Sequence, residues 1–267
     1  MTQSPSTRGE FVSWDGGCLF VSTATAITGV HAHYAVQVAL GSEFGIRFRP
    51  NDSDPWIAYD GVIIPSRQPH AMDATAVHSN AVLFVEPETR EGRALIELYS
   101  PKGITPLRPD DAQKAAAMLF EVWRQQGSRA ALVDAAHRVI VALTHGVEPS
   151  VASDRRIVRA TAYIQRHLSE PLTLERIAAE VFLSPSRFRH LFVAQTGMAL
   201  RPYVLWRRFL LAWELLMRGD SLSAAAHGAG FADAAHLTRT SRRMFGFPPS
   251  AMQMTRRLAP DDRSGPA

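Results

Sequence analysis

A single cysteine, Cys18, occurs in the 267 residues of this chain. No intrachain disulfide and no thiolate cluster can form, which excludes a disulfide-stapled scaffold and fits a reducing compartment. No apolar run approaches the roughly eighteen residues that a spanning helix needs, so no membrane partner is expected. The opening stretch Met1–Glu10, MTQSPSTRGE, has no apolar centre and does not read as a secretion signal. Also missing are a phosphate-binding glycine loop, a paired-carboxylate motif and a Ser/His/Asp nucleophile arrangement. The chain is therefore expected to be cytoplasmic and not an enzyme.

What is present is enough sequence for two domains with separate cores. Apolar residues make up 46% and charged residues 20%, a normal globular balance. The net charge of +4 conceals an asymmetry. Residues 1–153 carry 12 Lys and Arg against 16 Asp and Glu, whereas residues 154–258 carry 16 against 7. Basic charge confined to one half suits a surface that neutralises phosphates. A membrane-surface helix would concentrate that charge on one amphipathic strip, and here it is spread over several segments.

The basic half is built on a repeated pattern. In Leu172–Gly197, LTLERIAAEVFLSPSRFRHLFVAQTG, Thr173 is a candidate N-cap for a helix with Leu174, Ile177, Ala178 and Val181 at helical spacing. Ser184 and Pro185 form the cap and first position of a second helix, and Gly197 supplies its stop. That second helix has an apolar stripe of Phe188, Leu191 and Phe192. Its opposite face carries Ser186, Arg189, His190 and Val193, with Arg187 on the flank. Taken alone, such a face is more often plain solvated surface. Residues 222–246, LSAAAHGAGFADAAHLTRTSRRMFG, repeat the design. Asp233 is the candidate cap, Leu237, Thr240 and Met244 face inward, and Ala235, Arg239 and Arg242 face outward, flanked by His236 and Arg243. A helix over about 199–217 joins the two units. Two such units on a rigid spacer can enter successive major grooves roughly 34 Å apart.

With PLTLERIA, LSPSRFRHLF, Gly230–Phe231, HLTRTSRRMFG and Phe247–Pro248–Pro249 in place, residues 154–257 resemble the DNA-binding domain of AraC/XylS-type transcription regulators. The resemblance implies seven helices, with the second helix of each unit reading bases in double-stranded DNA. By position the base-facing candidates are Ser186, Arg189 and His190, then Ala235, His236 and Arg239. Arg189 and Arg239 are the candidates for bidentate recognition of guanine. Arg187, Arg201, Arg207, Arg208, Arg242 and Arg243 are candidates for phosphate or peripheral contacts. An activator role, in preference to a repressor role, and with it contact to RNA polymerase, is implied by the family alone. Two departures stand out. Phe182 occupies a turn position where glycine is common, so the turn must differ locally or carry strain. Ser241 replaces a usual aromatic.

The acidic half reads as short strands at Cys18–Ser22, Ala35–Leu40, Gly45–Arg49, Gly61–Ile64 and Ala81–Val85, separated by turn clusters such as Asn51–Pro55. Close spacing of such strands argues for a β-sandwich or barrel. His31-Ala-His33 and the later Asp60–His70 segment resemble the two motifs of a cupin barrel. That resemblance places His31, His33 and His70 around one point, with Gln37 where a carboxylate ligand would stand. Three readings stay open: a pocket for an unidentified small-molecule effector, a set of structural histidines, or a site for Zn²⁺, Ni²⁺ or Fe²⁺. Trp56, Tyr34 and Tyr59 are candidates to line a pocket, although aromatics in a small barrel are more often core.

Residues 109–145 return to helical spacing, broken at Gly127 and Ser128, and read as an antiparallel hairpin. It either covers the barrel or makes a homodimer contact. The expected organisation is α+β: a cupin-like sensor barrel over 1–108, the hairpin over 109–145, a linker over 146–153, an all-α domain with two helix-turn-helix units over 154–258, and a disordered tail over 259–267. The expected function is sequence-specific, effector-responsive regulation of transcription. The alternatives are a metal-dependent cupin enzyme fused to a DNA-binding domain, and a DNA-binding protein whose barrel senses nothing.

Overall fold

A computed structural model describes residues 8–23, 27–100 and 102–250. Among the described residues the N-terminal half forms nine strands: β1 (Gly9–Trp14), β2 (Gly17–Ser22), β3 (Val36–Gly41), β4 (Ile46–Arg49), β5 (Ile57–Tyr59), β6 (Gly61–Ile64), β7 (Ala71–Asp73), β8 (Asn80–Val85) and β9 (Thr105–Pro106). They assemble as a six-stranded sheet in the order β1-β2-β8-β3-β6-β9 and a three-stranded sheet in the order β5-β4-β7. The β-rich N-terminal domain is present as expected, but its strands close as two sheets and not as a continuous barrel. All the pairings within these sheets are antiparallel.

The central strands β2, β3 and β8 are buried along nearly their whole length, and their alternation distributes side chains to two different cores. Leu19, Val21, Val36, Val38, Leu83 and Val85 face a hairpin of α2 (Pro109–Arg124) and α3 (Arg129–Thr144). Leu119, Phe120, Trp123, Leu132, Val139 and Ile140 fill that layer from the helices. Cys18, Ala39, Val82 and Phe84 face the other way. A sheet covered on both faces needs continuous apolar runs, which is how these strands read in the sequence. A further helix, α1 (Arg90–Tyr99), capped by Thr89, follows β8 and was not anticipated.

The C-terminal half has six helices among the described residues: α4 (Arg155–Arg166), α5 (Leu174–Glu180), α6 (Pro185–Thr196), α7 (Leu200–Arg218), α8 (Leu222–Gly228) and α9 (Ala234–Phe245). The seventh helix implied by the family, and the expected tail, fall outside the described residues. The cap reading holds in detail. The side chains of Thr173, Ser184 and Asp233 accept hydrogen bonds from the main-chain N–H groups of Arg176, Arg187 and His236. Gly197 and Gly246 end α6 and α9 with φ of 69° and 74°. Phe182, in the turn between α5 and α6, takes φ 57°, a left-handed conformation that costs an L residue roughly 1–2 kcal/mol. Its ring is 84% exposed and lies beneath the Arg159 guanidinium. Ser241 is fully buried, and its hydroxyl donates to the Phe247 carbonyl at 2.7 Å.

The two halves share one core. Trp213 of α7 packs edge-on against Phe11 and Phe20 of the large sheet, with ring centroids 5.6 and 6.4 Å apart. Phe245, the last residue of α9, lies 4.9 Å from Phe84, 4.7 Å from Trp213 and 4.9 Å from Phe209. The face of the sheet not covered by the hairpin is therefore covered by the helical half.

Candidate functional site

The outward faces of α6 and α9 carry the residues expected there. Ser186, Arg187, Arg189 and His190 are exposed, while Phe188, Phe192 and Thr196 anchor the helix. His190 Nδ1 donates to the Ser186 carbonyl at 2.8 Å, which fixes the ring on the exposed face of the helix. On α9, Ala235, Arg239, Arg242 and Arg243 are exposed and Leu237, Thr240 and Met244 are buried. Arg187, Arg189, Arg239, Arg242 and Arg243 have no acidic partner among the described residues. Elsewhere in this half Arg156, Arg159 and Arg176 pair with Asp154, Glu180 and Glu170. Cations are thus left free on the two helices whose exposed faces repeat one design.

Three of the expected DNA contacts are placed differently, while a fourth, Arg201, stays exposed beside Arg243. Arg207 is 6% exposed, and its Nη1 donates to Glu86 Oε1 at 2.6 Å, so no phosphate can reach it. Burial works against its charge, and the facing Glu86 more than restores it. Arg208 is half-buried and donates to the carbonyls of Leu168 and Glu170, at 2.9 and 3.0 Å, which ties α7 to the loop before α5. His236 is half-buried, with its ring edge-on to Phe231 at 5.1 Å. Arg201 is exposed but lines, together with Arg67 and Arg243, a groove of about 590 Å³ between the two halves.

Around Glu86 lies a buried polar network that the sequence reading missed. Trp206 Nε1 donates to Glu86 Oε1 at 3.0 Å and the Tyr203 hydroxyl to Oε2 at 3.4 Å. The neighbouring Glu88 accepts from the Tyr34 hydroxyl at 2.7 Å, leaves its Oε1 without a partner, and is pushed up to about 8 by burial and by Glu86. Tyr34 is thus part of this network and also lines the groove between the two halves. Glu86 falls in phase with Val82 and Phe84 on the face turned to α7, and that phase was the available signal.

His31, His33, Gln37 and His70 come together as expected, and all four are buried. A reciprocal backbone bridge, His31 N–H to His70 carbonyl and the reverse, both at 2.9 Å, clamps the two loops. The three Nδ1 atoms face carbonyls: His31 that of Gly29 at 2.8 Å, His33 that of Ala35 at 3.0 Å, His70 that of Gln68 at 2.9 Å. A carbonyl only accepts, so each Nδ1 carries the proton and each Nε2 a lone pair. Gln37 Oε1 stands 2.8 Å from His33 Nε2 and 3.2 Å from His70 Nε2. Burial holds His31 down to about 4 and His33 down to about 3, and lowers His70 as well, so all three rings are neutral. Trp56 is not in this group. It sits half-exposed under the Arg49 guanidinium, 4.5 Å away, on the small sheet's outer turn. Tyr59 packs against Phe48 with ring centroids 6.3 Å apart.

Residues 177–255 match the family described as "Helix-turn-helix domain". A stretch of 99 residues is 33% identical to the regulatory protein PocR of Salmonella typhimurium, covering 37% of this chain and 33% of PocR. Another of 105 residues is 30% identical to the transcriptional activator RhaS of Escherichia fergusonii, covering 39% of this chain and 38% of RhaS. The matched stretch spans about a third of the length of such curated relatives. Over nearly the whole chain, the fold is that of ToxT from Vibrio cholerae, with a TM-score of 0.56, 10% identity, and coverage of 93% of this chain and 96% of ToxT. ToxT has also been solved bound to an unsaturated fatty acid, at a TM-score of 0.55, 10% identity, and coverage of 96% of this chain and 98% of ToxT. Among the described residues no helix is long and apolar enough to cross a membrane.

Proposed function

With an AraC-type helix-turn-helix domain at its C-terminal end, we propose that this protein is a sequence-specific DNA-binding regulator of transcription. The observation that carries the reading is the set of unpaired arginines on the exposed faces of two equivalent helices. In this reading α6 and α9 enter successive major grooves. Arg189 and Arg239 read guanine, and Ser186, His190 and Ala235 contact neighbouring bases. Arg187, Arg242 and Arg243 hold phosphates. The first unit dominates sequence choice, because Ala234 and Ala235 at the start of α9 give that helix fewer base-reading groups than α6. The protein works in the cytoplasm as an activator, in contact with RNA polymerase, and α3 makes a dimer contact. It has no catalytic role. The N-terminal domain takes an effector at His31, His33, Gln37 and His70.

Selection of bound duplexes from a random pool at two salt concentrations tests the first part. The expected result is an asymmetric site with two motifs about ten base pairs apart and affinity that falls steeply with salt. Recovery of no motif would overturn it.

A further inference from the structure

The histidine cluster offers more than a place for an effector. We propose that His31, His33 and His70 bind one late first-row divalent metal ion, with Zn²⁺ as the reference case, and that the second DNA-reading helix senses it through Phe245. The second clause rests on the reading of the chain as a DNA-binding regulator.

The electronics of the cluster point to a cation. The three rings offer nitrogen atoms that all lie within 4.8 Å of one another. With every Nδ1 committed to a carbonyl, the Nε2 lone pairs of His33 and His70 both face the Gln37 oxygen, and His31 adds a third ring whose Nε2 is left unclaimed. Such an arrangement repels itself unless a positive charge stands among the atoms. Turning the Gln37 amide over would offer two N–H groups to His33 and His70. His31 Nε2 would still lack a donor, since it has none among the described residues. The donor set of neutral imidazoles and one amide oxygen, without a carboxylate, suits Zn²⁺, Ni²⁺ or Co²⁺ and not Mg²⁺ or Ca²⁺. The Nδ1–carbonyl contacts are the kind of outer support that fixes ring tautomer and aim in metal sites.

The cover of the cluster is supplied by α9. The Phe245 ring lies nearly parallel to His31 at 6.4 Å and 5.9 Å from His33. At the next residue, the Gly29 N–H donates to the Gly246 carbonyl at 3.2 Å. A Cβ on Gly246 would stand 2.4 Å from the Gly29 oxygen and 3.0 Å from His31 Nδ1. The loop that carries His31 is therefore tied to the end of α9 by backbone and ring together. Metal–imidazole bonds of about 2.0–2.1 Å require the three Nε2 atoms to draw in around one point. The His31 loop cannot make that movement without moving the end of α9. Occupancy and DNA affinity are then linked, and the linkage is reciprocal.

The test uses the untagged full-length chain, stripped with EDTA and titrated with Co²⁺. One equivalent of saturable uptake is expected, with visible absorption bands that Zn²⁺ abolishes by displacement. His70→Ala and the milder His70→Gln, each checked by far-UV circular dichroism, should lose the bands while retaining the fold. On a selected duplex, Zn²⁺ should change the affinity of the unmodified chain by about fivefold or more. Phe245→Leu should keep the Co²⁺ bands and lose that change. Absence of saturable uptake, or uptake unaffected by both His70 variants, overturns the site. Uptake with unaltered DNA affinity overturns the coupling. A chain that takes up Co²⁺ at these residues but binds no duplex overturns the regulator reading and leaves the metal site standing.

Discussion

Two arginines eighteen positions apart in the chain look interchangeable in the sequence and have opposite fates. Arg189 stands free on α6, whereas Arg207 is locked to Glu86 inside the molecule. Arg189→Ala should relax the choice of base at one position of the selected site by roughly 1–3 kcal/mol and leave the melting temperature within the range of ordinary surface changes. Arg207→Ala leaves a carboxylate buried and uncompensated, which costs about 3–5 kcal/mol. Urea unfolding should show that loss, while the dependence of DNA affinity on salt keeps its slope in the folded fraction. A slope reduced by about one unit would instead identify Arg207 as a phosphate contact. This difference was only partly legible in the sequence. Position 207 lies on a helix that is apolar nearly all round, and such helices are buried. The partner, Glu86, stands just after β8, and its phase with Val82 and Phe84 gives the face it points to but not the residue it meets.

At the scale of elements, the helix-turn-helix units were legible because their determinants are local. Caps, stops and stripes all fall within a few residues of one another, and the structure has each where the pattern puts it. The five strands expected in the N-terminal half are present to within a residue or two. Of the elements that escaped, β5, β7 and β9 span only two or three residues, too few for a period to register, whereas β1 and α1 are long enough and were passed over. The turn at Phe182 shows a local rule broken and the strain retained. Phe182→Gly should raise stability by about 0.5–1 kcal/mol, the relief of the left-handed strain exceeding the entropy that glycine adds to the unfolded chain. Paired urea titrations would measure it. A loss of stability would show that the contact with Arg159 outweighs the strain.

At the scale of the whole molecule, the joint between the halves should respond to pH. Glu88 is faced by Tyr34 from the loop before β3, by Glu86 beyond β8, and by Tyr203 on α7, with Arg207 close to Glu86. Its carboxyl is raised to about 8, so the folded state holds a proton that the unfolded chain gives up near the ordinary carboxylate value of about 4.5. The folded form therefore binds more protons across that window. The contribution of Glu88 is fully present below it and is lost as pH rises toward 8. The three buried histidines, held neutral, pull the other way below about pH 6.5 in both proteins, so the informative quantity is the difference in melting temperature between the protein and Glu88→Gln, which should shrink as pH rises from 5 to 8. A difference that stays constant over that range would place the titration elsewhere.

The covering of the large sheet by Trp213 and Phe245 also has a meaning in time. A ribosome makes the sheet, its hairpin and all three histidines before it makes α7 or α9. At rates of about 5–20 residues per second, the nascent sheet waits on the order of ten seconds or more with one apolar face bare. During that interval the histidines are open to whatever the surrounding fluid supplies. The final turn of α9 then folds over them, so the last step in building that helix also covers the three rings.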